Sequence, residues 1–320
     1  MRTNAMRGMT TAGAVALSVL LGACGDDRDA QARAAEGGMV VATSTPEPSA
    51  RTAITPVVST VTGTPSEPRF TNVTYADAES VFRKGHYGES AEMFGVYVES
   101  NPANASGHYM LGLSAWKSGD HERAEASLRR AADLSGESVK IRTNLGRVLL
   151  ERGRATDALP HLEKAVELEP LSHEVWRVMG NAYAQLGRSI DAIDAYRQAL
   201  MLNDHDAWTM NNYGLVLIQL GRYEDALLPL ARAVELVPQS ATFQNNLGTA
   251  LERVGELEGA RTAFDAAVEA DSTHSKAAAN LERVERRLAD TPMDAPDLAA
   301  IARRFVEEMR EWIGEDQHDC

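Results

Sequence analysis

Cysteine is nearly absent, with two in 320 residues, Cys24 and Cys320. That rules out a disulfide framework and any paired-cysteine metal motif. Cys320 ends a polar tail, GEDQHDC, and reads as a terminal thiol with no base placed beside it. Basic charge is also short: 32 Lys and Arg face 46 Asp and Glu, a formal charge of −14. Phosphate binding needs a basic face, so no nucleic-acid partner is expected, and broad adsorption to anionic lipid is disfavoured. Aromatic residues are only 6% of the chain, which suits helices built from Ala and Leu. There is no HExxH, no Walker glycine loop and no GxSxG. The eight histidines, His86, His108, His121, His161, His173, His205, His274 and His318, form no cluster. No enzymatic activity, cofactor or metal is therefore expected.

The one sustained apolar run is AGAVALSVLLGA at 12–23, preceded by Arg2 and Arg7 and no acid. A basic segment followed by so short a run is a secretory signal and not a spanning helix. Its end, Leu21-Gly22-Ala23-Cys24, resembles the lipobox of bacterial lipoproteins. The resemblance implies that 1–23 is removed and that Cys24 becomes a lipidated first residue. More than one acyl chain would make the anchoring stable. Loss of Arg2 and Arg7 lowers the formal charge of −14 by two, to −16. The implied location is the bacterial cell envelope, with the membrane as one partner through Cys24. Gly25, and not Asp, follows the cysteine. That favours an outer membrane, facing the periplasm, if the cell has two.

Residues 24–70 comprise Cys24 and a stretch rich in Thr, Ser, Pro and Ala. Such composition buries too little surface to offset chain entropy, so a disordered tether is expected. As a flexible coil it would span roughly 35–40 Å.

From residue 71 a period of 34 sets in. Glycine returns at Gly85, Gly119, Gly153, Gly187, Gly221 and Gly255, and again at Gly112, Gly146, Gly180, Gly214 and Gly248. Alanine keeps step at Ala124, Ala158, Ala192, Ala226 and Ala260, and at Ala131, Ala165, Ala199, Ala233 and Ala267. The units are 71–104, 105–138, 139–172, 173–206, 207–240 and 241–274. The stretch Trp176-Arg177-Val178-Met179-Gly180-Asn181-Ala182-Tyr183, with Ala192 and Tyr196, resembles the tetratricopeptide repeat. The resemblance implies an all-α protein. It would be a right-handed superhelical α-solenoid of six repeats, each a pair of antiparallel helices. Stacking supplies the stability, since no repeat buries its apolar face alone. The Gly85 series should cap first helices in the left-handed region. The Gly180 and Ala192 positions should form the close approach within a repeat, with Leu128, Leu162, Tyr196, Leu230 and Phe264 filling the space between.

Three departures stand out. The first unit has Asp77 where leucine is usual and Tyr97 where alanine is usual, which marks it as a capping repeat. Pro160 and Pro229 fall in second helices, where each removes a backbone donor. Residues 275–290 continue as a solvating cap helix. Residues 297–313 form an extra amphipathic helix with Leu298, Ile301, Ala302, Phe305, Met309 and Trp312 on one face. That helix should fold into the groove, pack on the last repeat, or pair between molecules.

Within each unit, positions 2, 5, 6, 9 and 13 point away from the core and, by the resemblance, line a concave groove. They carry Asn144, Asn212, Asn246 and Asn280 at position 6, Asn211 and Asn245 at position 5, and Asn181 at position 9. The row resembles the asparagine ladder in the repeat domain of O-linked N-acetylglucosamine transferases, which implies that it holds the backbone of an extended peptide, as a primary amide that donates and accepts at once can do; the alternative is that it bridges neighbouring helices. Leu113, Trp208 and Leu215 share the face, with Trp116, Leu150 and Ile218 at its border. The expected function is a membrane-anchored scaffold that binds an extended or helical segment of an envelope protein. The alternative is a pilotin or accessory lipoprotein of a secretion, pilus or assembly machine. The 46 residues after the last unit are too few for a catalytic domain. Nothing in the sequence fixes the oligomeric state.

Overall fold

The computed structural model describes residues 70–290 and 297–316, with side chains at 70–289 and 297–312. The signal segment, Cys24, nearly all of the tether and Cys320 lie outside these residues. Fourteen helices follow one another among the described residues, with no strand. They are α1 (Tyr75–Arg83), α2 (Tyr87–Ser100), α3 (Ala105–Lys117), α4 (His121–Leu134), α5 (Val139–Glu151), α6 (Ala155–Leu168) and α7 (His173–Gln185). Then come α8 (Ser189–Leu202), α9 (Ala207–Gln219), α10 (Tyr223–Leu236), α11 (Ala241–Val254), α12 (Leu257–Ala270), α13 (Ser275–Asp290) and α14 (Leu298–Asp316). Each odd helix through α11 packs on the even helix that follows it, and each pair on the next: a stacked α-solenoid.

Punctuation repeats with the period. The last position of a unit caps the next first helix, as Asn104, Ser138, Asp206 and Ser240 accept backbone N–H bonds from its first turn. Each such bond satisfies a donor that the helix leaves unpaired. At the other end, Gly119 has φ +87°. Its N–H reaches the Trp116 carbonyl at 3.0 Å, while the Asp120 N–H reaches the Ala115 carbonyl at 2.9 Å. This is a Schellman closure, and it requires the left-handed residue that glycine supplies. The same positive φ recurs at all six glycines of the series.

The second glycine series marks where two helices touch. A methyl on Gly180 would lie 2.4 Å from Tyr196 Cε1, and one on Gly214 would lie 2.5 Å from Leu230 Cγ. Gly112, Gly146 and Gly248 meet Leu128, Leu162 and Phe264 in the same way. The glycine therefore faces the large residue of the second helix that was expected to fill the space within the pair. Those large residues are fully buried. The core is two apolar clusters, one across the first four units and one from the fourth unit to α14, with Tyr183 packed against both.

The departures have local causes. α1 starts at Tyr75, four residues into its unit, because Thr74 and Asp77 form a reciprocal capping box. Asp77 thus serves as a helix start. Tyr97 fits because Gly107 lies under its ring, 2.8 Å from the nearest ring carbon to where a methyl would be, and Asn104 donates to its hydroxyl at 3.0 Å. Phe70, expected in the tether, packs against the first cluster. Helices α6 and α10 run unbroken through Pro160 and Pro229.

α14 lies on α10 and reaches α8, both second helices, so it sits neither in the groove nor on the last repeat. Ala302, Phe305, Met309 and Trp312 are buried. Tyr213, Phe305 and Trp312 form a mutual aromatic cluster with centroids 5.8–6.3 Å apart, and the Arg197 guanidinium caps the Trp312 ring at 4.6 Å.

Gly214→Ala should destabilise the array. Alanine is the better helix former by about 1 kcal/mol, but overpacking against Leu230 costs about 1–3 kcal/mol. A lower urea midpoint by circular dichroism is expected; an unchanged or raised midpoint would mean that Leu230 yields freely.

Candidate functional site

First helices of neighbouring units touch at most steps, whereas second helices of successive units do not pack on one another. The first helices are therefore the inner rail, and their open side is the concave face.

The asparagines connect that rail. The Asn144 amide donates to the Tyr109 hydroxyl at 2.9 Å, Asn246 to Asn211 Oδ1 at 2.8 Å, and Asn280 to Asn245 Oδ1 at 2.9 Å. Each bond spans 35 residues, from position 6 of one unit to position 5 of the unit before. Where position 5 is Arg177, Asn212 donates instead to Asn181 Oδ1 at 3.0 Å, and the Tyr196 hydroxyl donates to the same oxygen at 2.8 Å. Asn211 and Asn245 in turn donate to their neighbours Asn212 and Asn246. Asn211 is 1% exposed, buried between helices and turned from the open face. Position 5 rotates inward because each first helix leans on the one before it, a tilt that a wheel drawn for one isolated helix omits. Asn144 and Asn245 are also buried, and Asn181, Asn212, Asn246 and Asn280 are half-buried.

The apolar candidates divide into two groups. Trp116 packs against one core cluster and donates from Nε1 to Glu151 at 2.6 Å. Trp208 packs against the other, its ring edge-on to Phe243 at 4.7 Å. Leu150 and Ile218 also pack against the core. Leu113 and Leu215 are half-buried and join neither cluster. These two are the apolar groove candidates that neither core cluster takes up.

Three charged groupings were not singled out from the sequence. Asp206 caps α9, accepting from the Trp208 and Thr209 amides, while its other oxygen lies 3.3 Å from Arg177 Nε and 3.7 Å from His173 Nδ1. Burial alone would raise this carboxyl. The His173 bond, the Arg177 charge and the Thr209 bonds outweigh it and pull it down to about 2. Glu125, 3% exposed, is ringed by Arg129, Arg152 and Arg154. Glu252 binds Arg283 and Arg287 at the far end of the groove. The signal for Asp206 was present in the sequence, since Asn104, Ser138, Ser172, Asp206 and Ser240 are 34 apart and all of cap-forming type.

A family model described as tetratricopeptide repeat matches residues 75–138, 143–208 and 212–275, more than half of the chain. The chain belongs to the tetratricopeptide repeat family. No curated relative matches it. Among solved structures, the Cut9–Hcn1 hetero-tetramer of APC/C is similar at 18% identity and a TM-score of 0.58, over 65% of this chain. The chain spans 41% of that relative's length. A thermophilic repeat protein of Thermus thermophilus is 20% identical with a TM-score of 0.50, over 57% of this chain and all of its own. At these identities the likeness is one of tetratricopeptide fold.

Asp206→Asn should cost about 2 kcal/mol at neutral pH, from a carboxyl held roughly two units low. The folded value lies below the unfolded one, near 3.8. The stabilisation is therefore full above pH about 4 and disappears as pH falls through about 2. Urea melts across that window should show wild type and variant converging; a constant gap would remove the linkage.

Proposed function

We propose that this protein is a lipid-anchored scaffold of the bacterial envelope that holds a segment of another protein along its concave face. The observation that carries the reading is the pair Leu113 and Leu215, half-buried on the inner rail and outside both core clusters. Apolar anchors on a polar concave face suit an extended or helical segment, which buries a few side chains and hydrogen-bonds elsewhere. The asparagines contribute mainly by fixing the rail, and each amide that reaches the open face has one N–H or lone pair left to offer. Leu21-Gly22-Ala23-Cys24 supports the anchor. Among the described residues no helix is long and apolar enough to cross a membrane. Scaffolding, and not catalysis, is the role that the repeat family supports.

Two tests follow. Cys24→Ser should move the protein from the membrane pellet to the supernatant on fractionation; unchanged sedimentation sinks the anchor. A photo-crosslinking residue at Leu215 should give a discrete adduct in cells, while one at exposed Lys164 on α6 gives none. Equal adducts from both sites, or none from Leu215, would remove the groove.

A further inference from the structure

We infer that the segment held in the groove is acidic and that its carboxylates lie at the α11–α13 end of the concave face. The inference rests on the groove reading above and names the chemistry of its occupant. Between α11 and α13 lies an open cleft of about 570 Å³ walled largely by polar side chains. Its charged members are Glu252, Arg253, Lys276, Arg283 and Arg287. Arg283 Nε and Arg287 Nη1 both donate to Glu252 Oε1, each at 2.9 Å. One carboxylate thus serves two guanidiniums and leaves one positive charge uncompensated. Lys276 and Arg253 are exposed, and neither has an ion-pair partner among the described residues. Arg253 lies 5.6 Å over the Tyr223 ring, a contact that leaves its charge intact.

A cleft with four cations and one anion is an exception in a chain of formal charge −14. The remaining surface repels an extended polyanion such as a nucleic acid, so attraction is confined to a short stretch of negative charge. Peptide is the class that fits. Asn280 stands in the cleft beside the cations, and Asn246 and Leu215 carry the same face onward. An acidic run followed by an apolar side chain would meet these features in order. Glu252 keeps the two arginines extended: their hydrogen bonds hold its carboxyl below the usual range, so it stays ionised and the bracket persists at neutral pH. Charge of this kind sets encounter rate and partner choice more than total affinity.

The test is selection of a random peptide library on the immobilised full chain at about 0.1 M salt, where exposed charges still act over about 10 Å. The recovered pool should be enriched in Asp and Glu. One recovered peptide should bind Arg253→Glu with Lys276→Glu about tenfold more weakly than wild type. Both positions are exposed, and an unchanged circular dichroism melt would confirm folding. A pool enriched in neutral or basic sequences, with capture lost in Leu215→Asp, overturns the acidic inference and leaves the groove standing. No enrichment of any kind overturns both. An acidic pool that binds the double variant unchanged, or a single-stranded oligonucleotide that outcompetes it, overturns the inference alone.

Discussion

The whole array depends on the contact between a glycine in the first helix of five of the six units and one large side chain in the second. Gly180 on Tyr196, Gly214 on Leu230 and Gly248 on Phe264 bring two backbones together at one point per repeat. Fixing that point fixes the crossing of the pair. With the pair rigid, the Schellman closure at the next glycine can turn the chain sharply, and every unit presents the same face to its neighbour. Dispersion and apolar burial then accumulate along the stack, since an isolated pair leaves one apolar side open. The spacing of 34 follows from repeating that geometry, and an insertion would move a glycine out from under its partner.

Between units the constraint is different in kind. Second helices splay, so the inner rail carries the polar coupling. Asn144 to Tyr109, Asn246 to Asn211 and Asn280 to Asn245 all join residues 35 apart, one more than the repeat. That extra residue is the signature of a first helix leaning on its predecessor. A buried amide left without a partner costs about 1–3 kcal/mol. A neighbour docked in another register would break the ladder and leave such amides unmatched, so the asparagines help specify how units stack. Arg177 with Asp206 does the same work with charge at another step, and Arg283 and Arg287 with Glu252 reinforce the last one.

The period, the pairing of helices and the left-handed caps were legible in the sequence because each is enforced at one position by one residue type. The orientation of position 5 was not. A wheel places Asn211 beside Asn212 on the open face, yet Asn211 is buried, because rotation between units is set by contacts 35 residues away. Asp77 and Tyr97, which depart from the repeat pattern, have local roles: one starts a helix with Thr74, the other fills room that Gly107 provides. The cations at the end of the groove were invisible for a simpler reason. They belong to α11 and α13, on either side of a unit boundary, and become a cluster only when α13 docks as a further first helix.

The placement of α14 bears on what the groove is for. Ala302, Phe305, Met309 and Trp312 form a broad apolar stripe, and water drives such a stripe onto whatever apolar seam is within reach. Had the concave face offered the better seam, a helix tethered just after α13 would fill it. Instead α14 turns to the second helices, where Tyr213 and the α8–α10 seam complete an aromatic cluster under Arg197. The inner rail offers an amide ladder, charged bridges and only two leucines outside the core clusters, a surface that a uniformly apolar helix face cannot match. The chain's own amphipathic helix and the segment proposed for the groove therefore differ in chemistry. One is broad and apolar and is satisfied within the molecule. The segment proposed for the groove would instead carry a few apolar anchors among polar, hydrogen-bonding groups.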